Sequence, residues 1–85
     1  MALTVDTARS ILVEVLCDVA PDLDPSDLDD DADLFDDLGL DSMDVLNVAT
    51  GIYDRTGIEV PEVDYPRLVS IGGGADYLSG RASAD

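Results

Sequence analysis

Residues 34–46 of the chain read LFDDLGLDSMDVL. In this stretch Ser42 follows a glycine-containing turn and precedes an apolar pattern with helical spacing. Asp41 or Ser42 is suited to begin the helix, because an oxygen of either side chain can accept a free backbone N–H group. We expect the helix to end near Thr56, where Gly57 supplies a C-terminal stop. The Ser42 hydroxyl should therefore point into solvent from a helix N-terminus.

A second amphipathic helix is predicted upstream, over residues 5–20, because apolar side chains recur there at spacings of three and four. Thr4 or Asp6 could cap it, and Pro21 would stop it. The apolar positions predicted to face the core are Val5, Ala8, Ile11, Leu12, Val15, Leu16 and Val19 in the upstream helix, and Leu46, Val48, Ala49 and Ile52 in the helix after Ser42.

Residues 21–41 connect the two helices and contain ten aspartates, two prolines and one glycine, which argues against a long regular helix. Apolar residues nevertheless punctuate the segment, and a solvated tether would not need them. We therefore expect an ordered loop that is pinned onto the core and contains a short helical turn. These apolar residues are Leu23, Leu28, Leu34, Phe35, Leu38 and Leu40.

After Gly57 we predict an extended link, one short helical turn that tolerates Pro66 only near its start, and a last helix from a Ser70 cap to about Leu78. Three glycines at 72–74 each weaken that helix by about 1 kcal/mol relative to alanine. We expect one domain over residues 1–79 and a frayed tail over residues 80–85. This order of elements predicts an all-α, antiparallel helical bundle.

Composition excludes several classes of function. The 85 residues are 46% apolar, and twenty acidic residues against four basic ones give a net charge of −16. A field of this sign repels nucleic acid and anionic membranes and favours partners with basic patches. The chain has no histidine and one cysteine, Cys17, so catalytic histidines, zinc clusters and internal disulfides are excluded. Cys17 falls opposite the apolar stripe, where we expect an incidental, exposed thiol.

The many aspartates give only weak support to two other functions, an acid–base enzyme and a calcium-binding module. The aspartates lie in a solvated loop without a buried partner, which disfavours an acid–base enzyme. A calcium-binding loop over residues 22–33 would need glycine and glutamate at its sixth and twelfth positions, but Asp27 and Asp33 stand there.

The N-terminus does not resemble a secretion signal, and no apolar run approaches membrane-spanning length. We therefore expect a cytoplasmic protein.

Residues 37–44, Asp-Leu-Gly-Leu-Asp-Ser-Met-Asp, resemble the D-L-G-x-D-S-[LM] signature of acyl carrier proteins. Residues 57–61, Gly-Ile-Glu-Val-Pro, are similar to the family's segment after the second helix. Residues 70–71 and 76–78 are similar to its final helix. The resemblance runs from residue 5 to about residue 78 in the same order and spacing.

The resemblance implies a four-helix bundle with a long ordered loop after the first helix, a short third helix and a core that can shelter an acyl chain. It further implies that Ser42 receives 4′-phosphopantetheine from coenzyme A through a phosphopantetheinyl transferase. Asp41, Met43 and Asp44 would lie in the zone that contacts partners. Those partners would include acyltransferases and ketosynthases with basic docking patches, and the carrier would act as a monomer with no catalytic residue and no metal.

Two departures from the family pattern bear on the pathway. Members that serve fatty acid synthesis commonly have a glutamate where this chain has Asn47, and an acidic cluster where it has Tyr-Asp-Arg-Thr at residues 53–56. These changes favour polyketide or other specialised biosynthesis over primary fatty acid synthesis. A peptidyl or aryl carrier is the nearest alternative, because those domains use a similar serine.

Overall fold

A computed structural model describes residues 3–84 of the chain. Its elements are α1 (Val5–Val19), a 3-10 turn (Pro25–Asp27), α2 (Ser42–Thr56), a 3-10 helix (Glu62–Leu68) and α3 (Ile71–Ala84). The predicted all-α bundle is confirmed, with the 3-10 helix as its short third helix and α3 as its fourth. Over residues 3–84 the β-structure consists of an isolated bridge between Asp33 and Ser70.

The first helix lies at the centre of the fold and packs against both α2 and α3. Thr4 caps it by accepting the Thr7 N–H at 3.1 Å, as one of the two predicted caps. Its fully buried residues are Ala8, Leu12, Val15 and Leu16, whereas Val5 is exposed. Cys17 is half-buried rather than exposed, because α1 has neighbours on two sides and the thiol packs at the edge of the core.

Two glycines bring the outer helices close to α1. A Cβ atom at Gly51 in α2 would lie 2.8 Å from Val15 Cγ1, and one at Gly74 in α3 would lie 2.9 Å from Leu12 Cδ1. Both separations are shorter than packed carbon atoms adopt. Gly74, which weakens α3 as an isolated helix, therefore allows that helix to reach its place in the bundle.

The long loop is ordered and pinned to the core, as predicted. Leu28, Leu34 and Leu40 are buried, while Phe35 is 40% exposed. Backbone hydrogen bonds also fasten the loop to the start of α3, since the Leu34 N–H donates to the Val69 carbonyl at 2.7 Å and the Gly72 N–H donates to the Asp30 carbonyl at 2.9 Å. The loop thus fixes the position from which α2 begins.

The apolar face of α2 differs from the prediction at one residue. Leu46 is 42% exposed, and Val45 is buried in its place with Val48, Ala49 and Ile52. The buried set follows the i, i+3, i+4, i+7 spacing of a single helix face, and Leu46 lies outside that face.

Two further expectations need correction. Pro66 lies inside the 3-10 helix rather than near its start, in a segment that is short and 3-10 rather than α-helical. The last helix ends at Ala84 instead of near Leu78. The frayed tail expected over residues 80–85 stays a prediction, and residue 85 lies outside the described residues. A side-chain contact accompanies the extension, because Arg81 Nη2 donates a hydrogen bond to the Glu59 carbonyl at 3.0 Å.

All four arginines contact another segment of the fold. Their partners are Asp30 and the Leu28 carbonyl for Arg9, Asp18 for Arg55, the aromatic ring of Tyr77 for Arg67, and the Glu59 carbonyl for Arg81. These contacts join α1 to the loop, α2 to α1, and α3 to the 3-10 helix and the link that precedes it.

Candidate functional site

Ser42 is the first residue of α2, and its side chain is exposed. The turn that precedes it is held by Gly39, which adopts a left-handed conformation with φ of 71°. The next residue, Leu40, is buried, and its N–H donates to the Leu34 carbonyl at 2.9 Å. A fixed turn and a buried leucine therefore present Ser42 at the surface, as the sequence predicts.

A reciprocal capping arrangement surrounds Ser42. The Asp44 N–H donates to Asp41 Oδ1 at 3.0 Å, and the Asp41 N–H donates to Asp44 Oδ2 at 3.1 Å. Asp41 is thus the N-cap of α2, which settles the choice that the sequence leaves between Asp41 and Ser42. Both carboxylates next to Ser42 have a structural role in addition to their charge.

The exposed end of α2 fits a phosphodiester on Ser42. Within residues 3–84 the Ser42 hydroxyl has no hydrogen-bond partner, so its oxygen is free to form the ester. The N–H groups of Ser42 and Met43 have no partner in that range either, so they can donate to phosphate oxygens. The positive end of the helix dipole favours an anion there by about 0.3–1 kcal/mol. The negative charges of Asp41 and Asp44 disfavour a phosphate at this position, although both carboxylates accept hydrogen bonds from backbone N–H groups.

The three residues predicted to contact partners lie together around Ser42. Asp41 and Met43 are exposed, Met43 to 64%, and Asp44 is half-buried. The exposed apolar surface continues along α2 through Leu46 and Tyr53, which lie three and ten residues beyond Met43 and so share its side of the helix. Helical spacing from Met43 could have identified both residues in the sequence.

An open groove of about 340 Å³ runs between α2 and the 3-10 helix. Its lining residues are Ala49, Thr50, Tyr53, Glu59, Val60 and Tyr65. The sequence predicts none of them as site residues, because the groove forms only when α2 and the 3-10 helix pack together. The groove opens at the surface, and two of its lining residues, Ala49 and Val60, belong to the buried core.

No group of three or more histidine, cysteine, aspartate or glutamate side chains within residues 3–84 is arranged to hold a metal ion. None of the helices in that range combines the length and apolar character needed to cross a bilayer.

Comparison with known proteins identifies the family. A family model described as the phosphopantetheine attachment site matches residues 10–78, a span that includes Ser42. An acyl carrier protein of Campylobacter hominis is 33% identical over 73 residues, which cover 86% of each chain. This chain belongs to the acyl carrier protein family.

More distant acyl carrier proteins show the same extent of similarity. One from Bdellovibrio bacteriovorus is 29% identical over 76 residues, which cover 89% of this chain and 91% of the relative. A mitochondrial acyl carrier protein of Neurospora crassa is also 29% identical, over 80 residues, which cover 94% of this chain and 60% of the longer relative. The acyl carrier protein match therefore extends over nearly the whole chain.

Family membership defines the general role of this acyl carrier protein. It is a carrier of acyl groups and not an enzyme, and its prosthetic group is covalently attached 4′-phosphopantetheine. Its partners as a class are the phosphopantetheinyl transferase that attaches this group and the biosynthetic enzymes that use the loaded carrier.

Proposed function

We propose that Ser42 is the attachment site and that the protein delivers acyl thioesters from it to enzymes of polyketide or other specialised biosynthesis. The observation that carries the attachment is the exposed Ser42 hydroxyl on the first residue of α2, which has no hydrogen-bond partner among residues 3–84. In the attachment reaction the Ser42 oxygen displaces 3′,5′-ADP from coenzyme A and loses its proton. The attached arm supplies a terminal thiol that holds an acyl group as a thioester.

The residues around Ser42 support a role in docking. Asp41 and Asp44 provide negative charge, and Met43 provides an exposed apolar contact between them. A basic patch on a transferase, acyltransferase or ketosynthase would be steered towards this surface by the net charge of −16. Charge would then set the rate of encounter, and Met43 would supply buried area in the complex.

The proposed pathway is supported by the part of α2 that lies beyond its first turn. Asn47 and Tyr53 are both exposed and uncharged, and the guanidinium of Arg55 is paired with Asp18 on α1. This part of the helix therefore offers a basic partner less negative charge than the acidic cluster of carriers from fatty acid synthesis would. An Asn47→Glu/Tyr53→Glu variant tests the inference with acyltransferases and ketosynthases of both pathways. Its acylation should improve only with the fatty acid enzymes, and an unchanged preference would contradict the assignment.

The attachment site is tested by incubating the apo protein with coenzyme A and a promiscuous phosphopantetheinyl transferase, followed by intact-protein mass spectrometry. The wild type should gain one phosphopantetheinyl group and Ser42→Ala none. Ser10→Ala is the matched control, because Ser10 is also an exposed helical serine, and it should be modified as the wild type is. Modification of Ser42→Ala, or no modification of the wild type by several transferases, would overturn the assignment.

The proposal also includes a monomeric carrier that works in the cytoplasm. Size-exclusion chromatography with light scattering tests the first point, and fractionation of the source cells tests the second. A stable dimer, or a carrier recovered only with membranes or an organelle, would contradict that part of the proposal.

A further inference from the structure

The turn that precedes Ser42 is capped by the side chain of Asp33. Asp33 Oδ1 accepts the N–H groups of Phe35 and Asp36, at 2.8 and 2.9 Å. The Asp33 N–H in turn donates to Asp37 Oδ2 at 2.8 Å. Short polar side chains stabilise turns in this way, because their oxygens accept backbone N–H groups that the turn leaves without a backbone partner. Asp33 therefore holds the turn through both its side chain and its backbone.

Residues 33–40, which we call the presenting turn, connect the start of α3 to the start of α2. The Leu34 N–H donates to the Val69 carbonyl at 2.7 Å, and the Leu34 carbonyl accepts the Leu40 N–H at 2.9 Å. Leu34 and Leu40 are both buried, and Asp33 is the neighbour of Leu34 in the chain. Because Leu40 directly precedes the N-cap of α2, a shift of the presenting turn moves the first turn of that helix.

Ser42 lies where α2 is most easily disordered, since helices fray from their ends. The capping box of Asp41 and Asp44 opposes fraying from within the helix. The presenting turn opposes it from outside, because it keeps Leu40 in the core. Removal of the Asp33 carboxylate would leave two N–H groups of the turn without their acceptor and weaken this outer support.

We propose that Asp33 is a positioning residue for the modification of Ser42, and that it acts through the presenting turn without contacting the transferase or coenzyme A. The inference rests on the proposed attachment at Ser42. Asp33 lies outside the D-L-G-x-D-S-[LM] signature, and its half-buried side chain is bonded to the backbone of its own turn. An ordered turn keeps the Ser42 hydroxyl in one orientation towards the phosphorus that it attacks, and a preset geometry speeds reaction between bound groups.

The test measures kcat/KM of a phosphopantetheinyl transferase for variants of the carrier, with coenzyme A in excess. Asp33→Ala should lower kcat/KM about fivefold, which corresponds to about 1 kcal/mol. The loss should persist from low to high salt, because it arises from geometry and not from a screened charge. Asp33→Asn should restore most of the rate, since asparagine keeps the oxygen that accepts the two N–H groups.

Two controls separate positioning from charge and from overall stability. Asp36→Ala removes the same charge from the same turn, and the Asp36 carboxylate accepts no hydrogen bond in the described part of the chain. Thr4→Ala removes a cap of the same kind from α1, where Thr4 accepts the Thr7 N–H at 3.1 Å. At high salt, where charge is screened, both controls should be modified at close to the wild-type rate.

Amide hydrogen exchange adds a readout that does not depend on the transferase. The Leu40 N–H should exchange faster in Asp33→Ala than in the wild type, and Thr4→Ala should change it less. If Asp33→Ala does not fold, Asp37→Ala serves and should slow modification in the same way, because Asp37 is exposed and its carboxylate accepts the Asp33 N–H.

Three results would overturn the inference while leaving attachment at Ser42 standing. They are a wild-type rate for folded Asp33→Ala, no recovery in Asp33→Asn, and a loss in either control equal to that of Asp33→Ala at high salt. Failure of the wild type to load would overturn both the inference and the proposed attachment.

Discussion

Asp41 and Asp44 each accept the backbone N–H of the other across the first turn of α2, at 3.0 and 3.1 Å. Loss of an N-cap side chain typically costs about 1 kcal/mol of stability. Substitutions that reverse the charge at either residue therefore disturb the start of the helix as well as the surface that a partner meets. Experiments on docking have to separate these two effects.

Asp44→Asn makes that separation, because asparagine keeps a side-chain oxygen for the Asp41 N–H and removes the charge. We expect Ser42 to be modified up to about fivefold more slowly at low salt, which corresponds to about 1 kcal/mol for an exposed charge pair. The difference should fade as the screening length falls from about 30 Å at 0.01 M salt to about 3 Å at 1 M. Transferase kinetics across a salt series measure it.

The control for this experiment is Asp54→Asn, which removes the same charge from an exposed position ten residues further along α2. It should slow modification less than Asp44→Asn does. Equal rates for wild type and Asp44→Asn at low salt, with circular dichroism showing both folded, would remove Asp44 from the docking surface.

Leu46 and Val48 provide a matched test of the α2 packing. Val48→Asp places an unpaired charge in a fully buried position and should cost about 3–5 kcal/mol, a large share of the stability of a small domain. Leu46→Asp adds the same side chain at a position that is 42% exposed and should cost less than about 1 kcal/mol. Urea unfolding followed by circular dichroism measures both, and similar losses would contradict the helix orientation.

Gly51 and Gly80 should respond in opposite ways to alanine. At Gly51 the new Cβ atom would meet the buried, β-branched Val15 at 2.8 Å, so Gly51→Ala should destabilise the fold by about 1–3 kcal/mol. At Gly80 nothing lies within 4 Å of the new atom, and Gly80→Ala should stabilise α3 by up to about 1 kcal/mol. Thermal unfolding of the two variants gives the sign of each effect. No gain from Gly80→Ala would indicate that residues 80–84 fray, as the sequence predicts.

The Tyr77–Asp64 hydrogen bond makes stability depend on pH. Burial raises the pKa of Tyr77, and the hydrogen bond to Asp64 raises it further. Because the pKa of Tyr77 is higher in the folded state than in the unfolded state, the protonated side chain stabilises the fold fully below the unfolded tyrosine pKa of about 10. This contribution to stability is lost as the pH rises through the higher pKa of the folded state. Tyr77→Phe should cost about 0.5–1.5 kcal/mol at pH 7 and lose less stability than the wild type in alkaline solution. Parallel curves of unfolding free energy against pH would contradict this role for Tyr77.

Local patterns in the sequence predict most of the fold. The spacing of apolar residues in α1, the stop at Gly57 and the leucines that pin the loop all act within a few residues of one another, so they can be read without tertiary information. Leu46 is predicted to face the core where the structure buries Val45, because the two are adjacent apolar residues on one turn of the helix. The complete spacing of residues 45, 48, 49 and 52 distinguishes them.

The groove and the close approaches between helices could not be predicted in this way. Glu59 and Tyr65 become lining residues only because the 3-10 helix packs beside α2. The steric roles of Gly51 and Gly74 depend on where Val15 and Leu12 lie on α1. The sequence could predict Ser42 as a candidate because its surroundings, a glycine turn and a helix start, are local.

The engagement of all four arginines has a consequence for how carriers behave in a crowded solution. Each guanidinium is committed to a contact within the fold, whereas the acidic side chains outnumber the basic ones by sixteen. At long range every copy has a large net negative charge, because its few arginine side chains are outnumbered and already contact groups of the same molecule. Two copies therefore repel each other. Many copies can therefore stay unassociated at high concentration, and each remains able to bind an enzyme with a basic surface.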